Sequence, residues 1–309
     1  MTYTIIANPI AGKGACEAAI PRVVEFFKDA GLAFDLLRTE HPQHAVDLAR
    51  RAAESGSDVV VAMGGDGTVN EVINGLMLSS GEKKPGCALG VLCVGRGNDF
   101  SYGVGIEHDL EVGCRALVER KTRSIDVGKV YVDDAPQPRY FGNGIGIGFD
   151  AVVGFVAAKM RIGGFPAYLI AALKTLFIYY QPPRVRIRFN GNDGTQLALM
   201  ISVMNGRRMG GGFMMAPDAL PDDGRLDLCI AGMARRLRIL GLMVDFMGGK
   251  QAGKEPIRTG RTEQVLVEAE EGVLPAHADG ETLCEEGKSL RAEILPNRLE
   301  VIVPWHEER

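Results

Sequence analysis

No cysteine in this chain has a C-x-x-C partner. The six of them (Cys16, Cys87, Cys93, Cys114, Cys229, Cys284) are scattered through 309 residues. A zinc ribbon or a disulfide framework is therefore not expected, and a reducing cytoplasm suits them better. Basic residues are not in excess: the formal net charge is −4, so no overall positive field points to nucleic acid. No basic region precedes the apolar run of the N-terminus MTYTIIANP, which argues against a signal peptide. A clear membrane span is missing too. The longest apolar stretch, Phe165 to Tyr180, is interrupted by Lys174 and is short for a bilayer; it reads as a core or interfacial helix. His41 and His44 stand at i, i+3 without a third metal ligand, and read as helix-start residues. Two nucleotide fingerprints are also missing: G-x-x-x-x-G-K-[ST] occurs nowhere, and no glycine run completes G-x-G-x-x-G.

What is present is an ordinary soluble composition, 46% hydrophobic and 24% charged, in a chain long enough for two domains. Up to about residue 123 the chain alternates between strand and helix. Tyr3 to Asn8, Ala33 to Leu37, Asp58 to Met63 and Cys87 to Val94 are short apolar runs. Between them, Cys16 to Phe27 and Gln43 to Glu54 have helical periodicity. Gly31 suits the position just past the first helix, and Pro21 is expected to kink that helix or mark its true start. Strands apolar on both faces and separated by helices predict a parallel α/β layer domain over 1–123.

From residue 124 to 309 the texture changes. Strand-like runs (Ile125 to Val132, Val185 to Phe189, Leu197 to Met204, Leu226 to Ile230, Gln264 to Glu268, Leu299 to Val303) are separated by turn residues such as Asn190-Gly191. This predicts a β-rich, antiparallel, sandwich-like second domain. Two apolar helical segments interrupt it: Ala151 to Tyr180, broken near Gly163-Gly164, and Arg235 to Met247. The second is basic at its start (Arg235, Arg236, Arg238) and apolar after it, a pattern that suits a membrane surface as well as a packed helix.

The most informative stretch is Gly64-Gly65-Asp66-Gly67-Thr68, which follows the third apolar run. Val69, Val72, Ile73, Leu76 and Met77 then share one helical face. Thr68 and Glu71 have capping-box spacing, which makes Thr68 the expected N-cap. Glycines at a helix N-terminus suit an anion, because free N–H groups and the positive end of the helix dipole gather there. A carboxylate in that turn is out of place unless a cation, or a hydroxyl to be deprotonated, lies between it and the phosphate.

With Asn70-Glu71, this turn resembles the signature of the diacylglycerol kinase catalytic domain family. That family includes bacterial lipid kinases and sphingosine kinases, and NAD kinases are distant relatives. Four more segments match in order: Asn8 to Gly14; Gly95-Arg96-Gly97-Asn98-Asp99-Phe100; Ala216 to Gly224; and Asp279-Gly280-Glu281. The resemblance implies an ATP- and Mg²⁺-dependent lipid kinase of phospholipid metabolism, cytoplasmic and peripheral to the membrane, with its active site between two domains. Its partners would be ATP and a lipid acceptor at a membrane surface, not nucleic acid. A homodimer is left open.

The resemblance also assigns residues. Asn8, Gly12, Lys13, Gly14 and Thr39 lie near the nucleotide, and Gly64, Gly65, Asp66, Gly67, Thr68, Asn70 and Glu71 cradle its phosphates. Arg96 stands where the family usually has threonine. It would replace a hydroxyl contact by a guanidinium one or else face solvent. Glu281 is the favoured proton acceptor, with Asp279 as partner at i and i+2, and Asp66 is the rival base. A structural Mg²⁺ would take the Asp223 carboxylate and the carbonyls of Leu220 and Arg225; without the resemblance the same residues read as a β-turn. Asp150 falls where relatives contact the acceptor head group. Three other readings stay in view: a soluble small-molecule kinase of NAD-kinase type, a non-catalytic nucleotide-binding regulator, and a dinucleotide oxidoreductase, the last weakened by the missing glycine fingerprint.

Overall fold

Short apolar runs flanked by helical segments form the parallel sheet expected of them, buried at Val59–Gly64 and partly exposed at the edge strand Ala33–Arg38. In the computed structural model, which describes residues 1–81, 83–95, 97–106, 108–160, 165–179 and 182–304, the chain begins with β1 (Thr2–Ala7), α1 (Ala15–Asp29), β2 (Ala33–Arg38), α2 (His44–Glu54), β3 (Val59–Gly64), α3 (Asp66–Ser80), β4 (Ala88–Cys93), α4 (Asp99–Val104) and α5 (Leu110–Glu119). Strand β5 (Thr122–Val132) follows. The chain divides into two compact units, Met1–Asp126 with the segment from Asn297 onward, and Val127–Pro296. The second crossing, at 296/297, has no counterpart in the expected division at 123/124.

In the first unit β1 pairs in parallel with β2 on one side and β3 on the other, and β3 pairs with β4. The order β2-β1-β3-β4 puts the reversal of winding between β1 and β3, and ligands of such sheets gather at the carboxyl ends of the strands there. Every residue of β3 is buried. Tyr3, Ile5, Val61, Met63 and Leu92 pack against Cys16, Ile20, Val23 and Phe27 of α1. Pro21 neither starts nor ends α1, which runs through it: its missing N–H forfeits one bond, while the apolar face packed on the sheet holds the flanking turns. Gly31 (φ +65°) takes the left-handed position after the helix, as expected.

The second unit contains β6 (Arg139–Phe141), β7 (Gly144–Gly148), α6 (Phe149–Ala158), α7 (Phe165–Lys174) continuing as a π-wound segment (Thr175–Tyr179), β8 (Arg184–Phe189), β9 (Asn192–Met204), β10 (Leu226–Gly232), α8 (Arg236–Met247), β11 (Ile257–Thr262), β12 (Gln264–Glu271), β13 (Leu274–Ala278), β14 (Glu281–Gly287) and β15 (Ser289–Ile302), whose last residues re-enter the first unit. The expected break at Gly163-Gly164 lies outside the described residues. Pairing within this unit is antiparallel. Strand β9 pairs with β8 through its first half and with β7 and β10 through its second, so one long strand belongs to two sheets. Ile145, Ile147, Val185, Ile187, Val203, Leu228, Val267 and Leu290 fill the space between them. Phe149, Val153, Leu176, Ile239, Leu242, Met243 and Phe246 of the helices pack with Leu199, Met200 and Cys229. The Asn190-Gly191 turn is as expected, with both residues at positive φ (48° and 75°) as a two-residue hairpin requires.

Candidate active site

In the first unit the turns after β1, β3 and β4 converge, and glycine is what lets them. A Cβ on Gly12 (φ +61°) would lie 2.4 Å from the Val94 carbonyl oxygen. One on Gly95 would lie 2.3 Å from the Cα of Gly65, and one on Gly64 2.5 Å from Thr68 Oγ1. Asn8 closes the group: its N–H donates to the Met63 carbonyl (3.0 Å), and its Nδ2 donates to Thr68 Oγ1 (3.1 Å). Thr39 directly follows β2, its N–H donating to the Ala7 carbonyl at 2.9 Å. Helices α1 and α3 begin here, with Gly14 and Gly65 as their N-caps; neither has a side chain to cap the first turn. Two helix N-termini with main-chain donors at their mouths, and the exposed Lys13 beside them, form a site for an anion such as phosphate.

Several expectations change in detail. Helix α3 starts at Asp66 and is capped by Gly65, so Thr68 is not the N-cap; it lies buried in the first turn. Glu71 does not reach back to close a capping box. Its carboxylate accepts the N–H groups of Gln43 (2.9 Å) and Ala45 (3.0 Å) and so caps α2. Asn70 is buried, and its side-chain oxygen accepts from Asn74 Nδ2 at 3.2 Å. Glu71 and Asn70 are therefore committed within the fold. The half-buried Asp66 and Gly67 stay at the mouth of the turn, where a carboxylate could hold the cation that accompanies a nucleotide. Asp66 Oδ1 accepts the Phe100 N–H at 3.2 Å, the start of α4. Arg96 lies outside the described residues. Burial pushes the Cys93 thiol, which closes β4, up to about 11, so it is no nucleophile at neutral pH.

In the second unit, the tip of the β13–β14 hairpin is Asp279-Gly280, with φ of 49° and 88°. That is a two-residue hairpin turn rather than extended chain, so the i, i+2 argument for Asp279 and Glu281 does not apply. The Asp279 carboxylate is buried and accepts three main-chain N–H groups: Gly142 at 2.8 Å, Asn143 at 3.0 Å and Gly144 at 2.8 Å. Glu281 follows on β14 and is half-exposed.

One residue the sequence did not single out stands beside this hairpin. His277 Nε2 lies 3.2 Å from Asp150 Oδ2, and both side chains are 5% exposed. The Gly280 N–H donates to His277 Nδ1 at 3.3 Å, which puts the ring proton on Nε2, facing Asp150. Gly146 makes room for the pair: a Cβ there would lie 2.1 Å from Asp150 Oδ2 and 2.4 Å from His277 Nε2. Only the fold reveals this pairing, because the two residues are 127 apart in the chain. Among the described residues, Asp150 is also the one ionisable residue lining a narrow apolar cavity of about 50 Å³, walled by Phe149, Val153, Met200, Phe213, Leu242 and Phe246 among others.

At the expected structural Mg²⁺ site the Asp223 carboxylate is already engaged by protein groups. Asp223 Oδ1 accepts the Arg225 N–H at 3.0 Å, the β-turn reading, and its Oδ2 pairs with the Arg261 guanidinium. Arg261 also lies 3.4 Å from Asp227; burial, and then Asp218, push that carboxyl up to about 6. Magnesium requires a near-octahedral shell of oxygens. Of the expected ligands only Asp223 offers a carboxylate, and Arg261 would have to leave it for the ion to enter. Among the described residues, no group of three or more His, Cys, Asp or Glu could hold a metal ion.

Residues 2–130 match the family model of the diacylglycerol kinase catalytic domain, and residues 143–303 match that of the YegS C-terminal NAD kinase beta sandwich-like domain. The chain is 32% identical over 296 residues to a YegS-like lipid kinase of Chromohalobacter salexigens, covering 95% of this chain and 91% of that protein. It is 30% identical over 306 residues to a diacylglycerol kinase of Mycobacterium tuberculosis, covering 98% and 95%. Among solved structures, a diacylglycerol kinase from Bacillus anthracis superposes with a TM-score of 0.71 at 21% identity, covering 98% of this chain and 96% of that one. An NAD kinase from Archaeoglobus fulgidus in complex with ATP gives 0.53 at 13%, covering 98% and 94%. Both share the fold.

Proposed function

Since the chain belongs to the diacylglycerol kinase family, we propose that it transfers the γ-phosphate of ATP to the hydroxyl of a lipid held by the second unit. The observation that carries the lipid, rather than a soluble acceptor, is the apolar cavity, whose one ionisable lining residue among those described is Asp150. Such a cavity takes hydrocarbon, and a carboxylate at its wall, held by His277, orients a hydroxyl. At about 50 Å³ it is too small for an acyl chain, so the surrounding helices must part to admit one.

The roles follow from where each residue stands in its own unit. Gly12 to Gly14 and Gly65 to Thr68 hold the phosphates through main-chain N–H groups, with Lys13 adding charge. Magnesium brought with the nucleotide supplies neutralisation of the phosphate oxygens, and Asp66 is the carboxylate that would hold it. Glu281 takes the proton from the acceptor hydroxyl as general base. The three N–H groups already on Asp279 support a positioning role for it, as the clamp that fixes the hairpin from which Glu281 projects.

Labelled ATP and a total lipid extract, with mass spectrometry of the product, test the reading. A phosphorylated lipid is expected, and label found only in a water-soluble product would favour the NAD-kinase-type alternative. Asp66→Ala should abolish transfer and leave the fold intact; a variant keeping more than about a tenth of the rate, a loss under ~1.4 kcal/mol of barrier, removes Asp66 from the essential set.

A further inference from the structure

Helix α8 has two apolar faces. Ile239, Leu242, Met243 and Phe246 are buried and line the cavity. On the opposite side Leu237 is 83% exposed and Val244 68% exposed, with Met247 beside them. Positions 237 and 244 are seven apart and share one side of a helix, while 236 and 238 fall on its two flanks. Arg236 is exposed there and Arg235 precedes it, while the exposed Arg238 also donates to the Glu255 carbonyl at 2.9 Å. Helix α7 and its π-wound end repeat the pattern. Ala171, Ala172 and Leu176 are buried, whereas Ile170, Leu173 and Phe177 are exposed. The Arg236 guanidinium lies 5.6 Å from the Phe177 ring centroid, which brings the two outer faces together.

A soluble helix seldom keeps large apolar residues in water on the side away from its core. Arginines along the edges of such a face suit an anionic bilayer, in which the apolar side chains enter the acyl boundary and the guanidinium groups lie among the head groups. Asp245, the acid of α8, does not oppose this, because Lys254 Nζ pairs with it at 2.6 Å. We propose that the outer faces of α7 and α8 form the surface by which the protein docks on anionic lipid bilayers. The occupant is the bilayer itself, and the same helices that touch it wall the apolar cavity. The inference extends the lipid-kinase reading but does not require it, since docking is measured without turnover.

The test is flotation of the full chain with phosphatidylglycerol-containing vesicles and with pure phosphatidylcholine vesicles. Wild type should float with the anionic vesicles, and less so as salt rises. Leu237→Gln with Val244→Gln should weaken binding at least about tenfold, and Arg235→Ser with Arg236→Ser about fivefold per charge removed. Unchanged melting temperatures show that the variants fold. Phosphorylation of an acceptor presented in detergent micelles should stay at the wild-type rate in all variants. If they float as wild type does, or if binding ignores salt, the surface is elsewhere. A wild-type dimer in light scattering that the Leu237/Val244 variant dissociates would mean that a second copy covers this face, and would overturn the proposal. Absence of any lipid product alongside salt-sensitive flotation would sink the kinase reading and leave the docking surface standing.

Discussion

In the first unit a Cβ on Gly12 or Gly95 would strike main chain; in the second, the Cβ that Gly146 lacks would strike the side chains of Asp150 and His277. The two units thus use glycine for opposite ends. In the first, glycine brings three strand ends together so that peptide N–H groups can serve as the binding groups. In the second, it opens room for buried carboxylate and imidazole groups within a β-sheet. A main-chain site tolerates changes of side chain but not of backbone clearance. A side-chain site tolerates neither loss of charge nor loss of a partner.

That contrast can be broken, and the largest effect should come from Glu281. Glu281→Gln keeps the shape and removes the basicity, so kcat should fall ~100- to 10,000-fold with nucleotide affinity little changed; an unchanged kcat moves the base to Asp66 or Asp279. Next comes Asp279→Asn. An amide must turn its NH₂ toward at least one of the N–H groups that the carboxylate now accepts, which should cost about 3 kcal/mol of stability in chemical denaturation. A loss within the error of the measurement would show that the hairpin holds its shape without the clamp.

Gly95→Ala should cost about 1–3 kcal/mol, because the obstacle is the Cα of Gly65 and cannot swing aside. It should weaken ATP binding while leaving acceptor binding alone. The reverse outcome would dissolve the distinction between the two units. The smallest effect concerns Asp223 and Arg261. Their pair is partly exposed, so Arg261→Ser should cost no more than about 1 kcal/mol. Without nucleotide, the melting temperature of wild type should not respond to Mg²⁺; a clear rise would restore the ion to Asp223.

Much of the first unit can be read directly from sequence, since β3 and β4 are uninterrupted apolar runs, β1 is mostly apolar and their turns carry the glycine motifs. The capping box misled because S/T-x-x-E spacing is not confined to N-caps: Glu71 serves a neighbouring helix, and only the packing of α2 against α3 shows it. The second unit hid more. Gly144-Ile-Gly-Ile-Gly148 is a fully buried strand that the glycines disguise as a loop. Strand β13 carries Pro275, β11 is mostly polar, and β14 carries Glu281, Glu285 and Glu286, so none shows apolar alternation. Asp279-Gly280 was readable as a hairpin turn. His277 was not readable as Asp150's neighbour, because a pairing across the sheet leaves no local pattern.

Strand β15 leaves the second unit to lie parallel to β4, with Val301 beside Leu89, while the Val303 N–H donates to the Lys121 carbonyl at 2.9 Å and Glu300 pairs with Lys84. The order of synthesis therefore matters. When the ribosome has made residues 1–130, the edge of β4 that meets β15 is still without its strand, and it stays open until residues 297–303 are made. A nascent chain cut short anywhere in the second unit would present that edge to other molecules. Expression of residues 1–130 alone should thus give aggregates, and a supplied peptide spanning 289–304 should restore solubility.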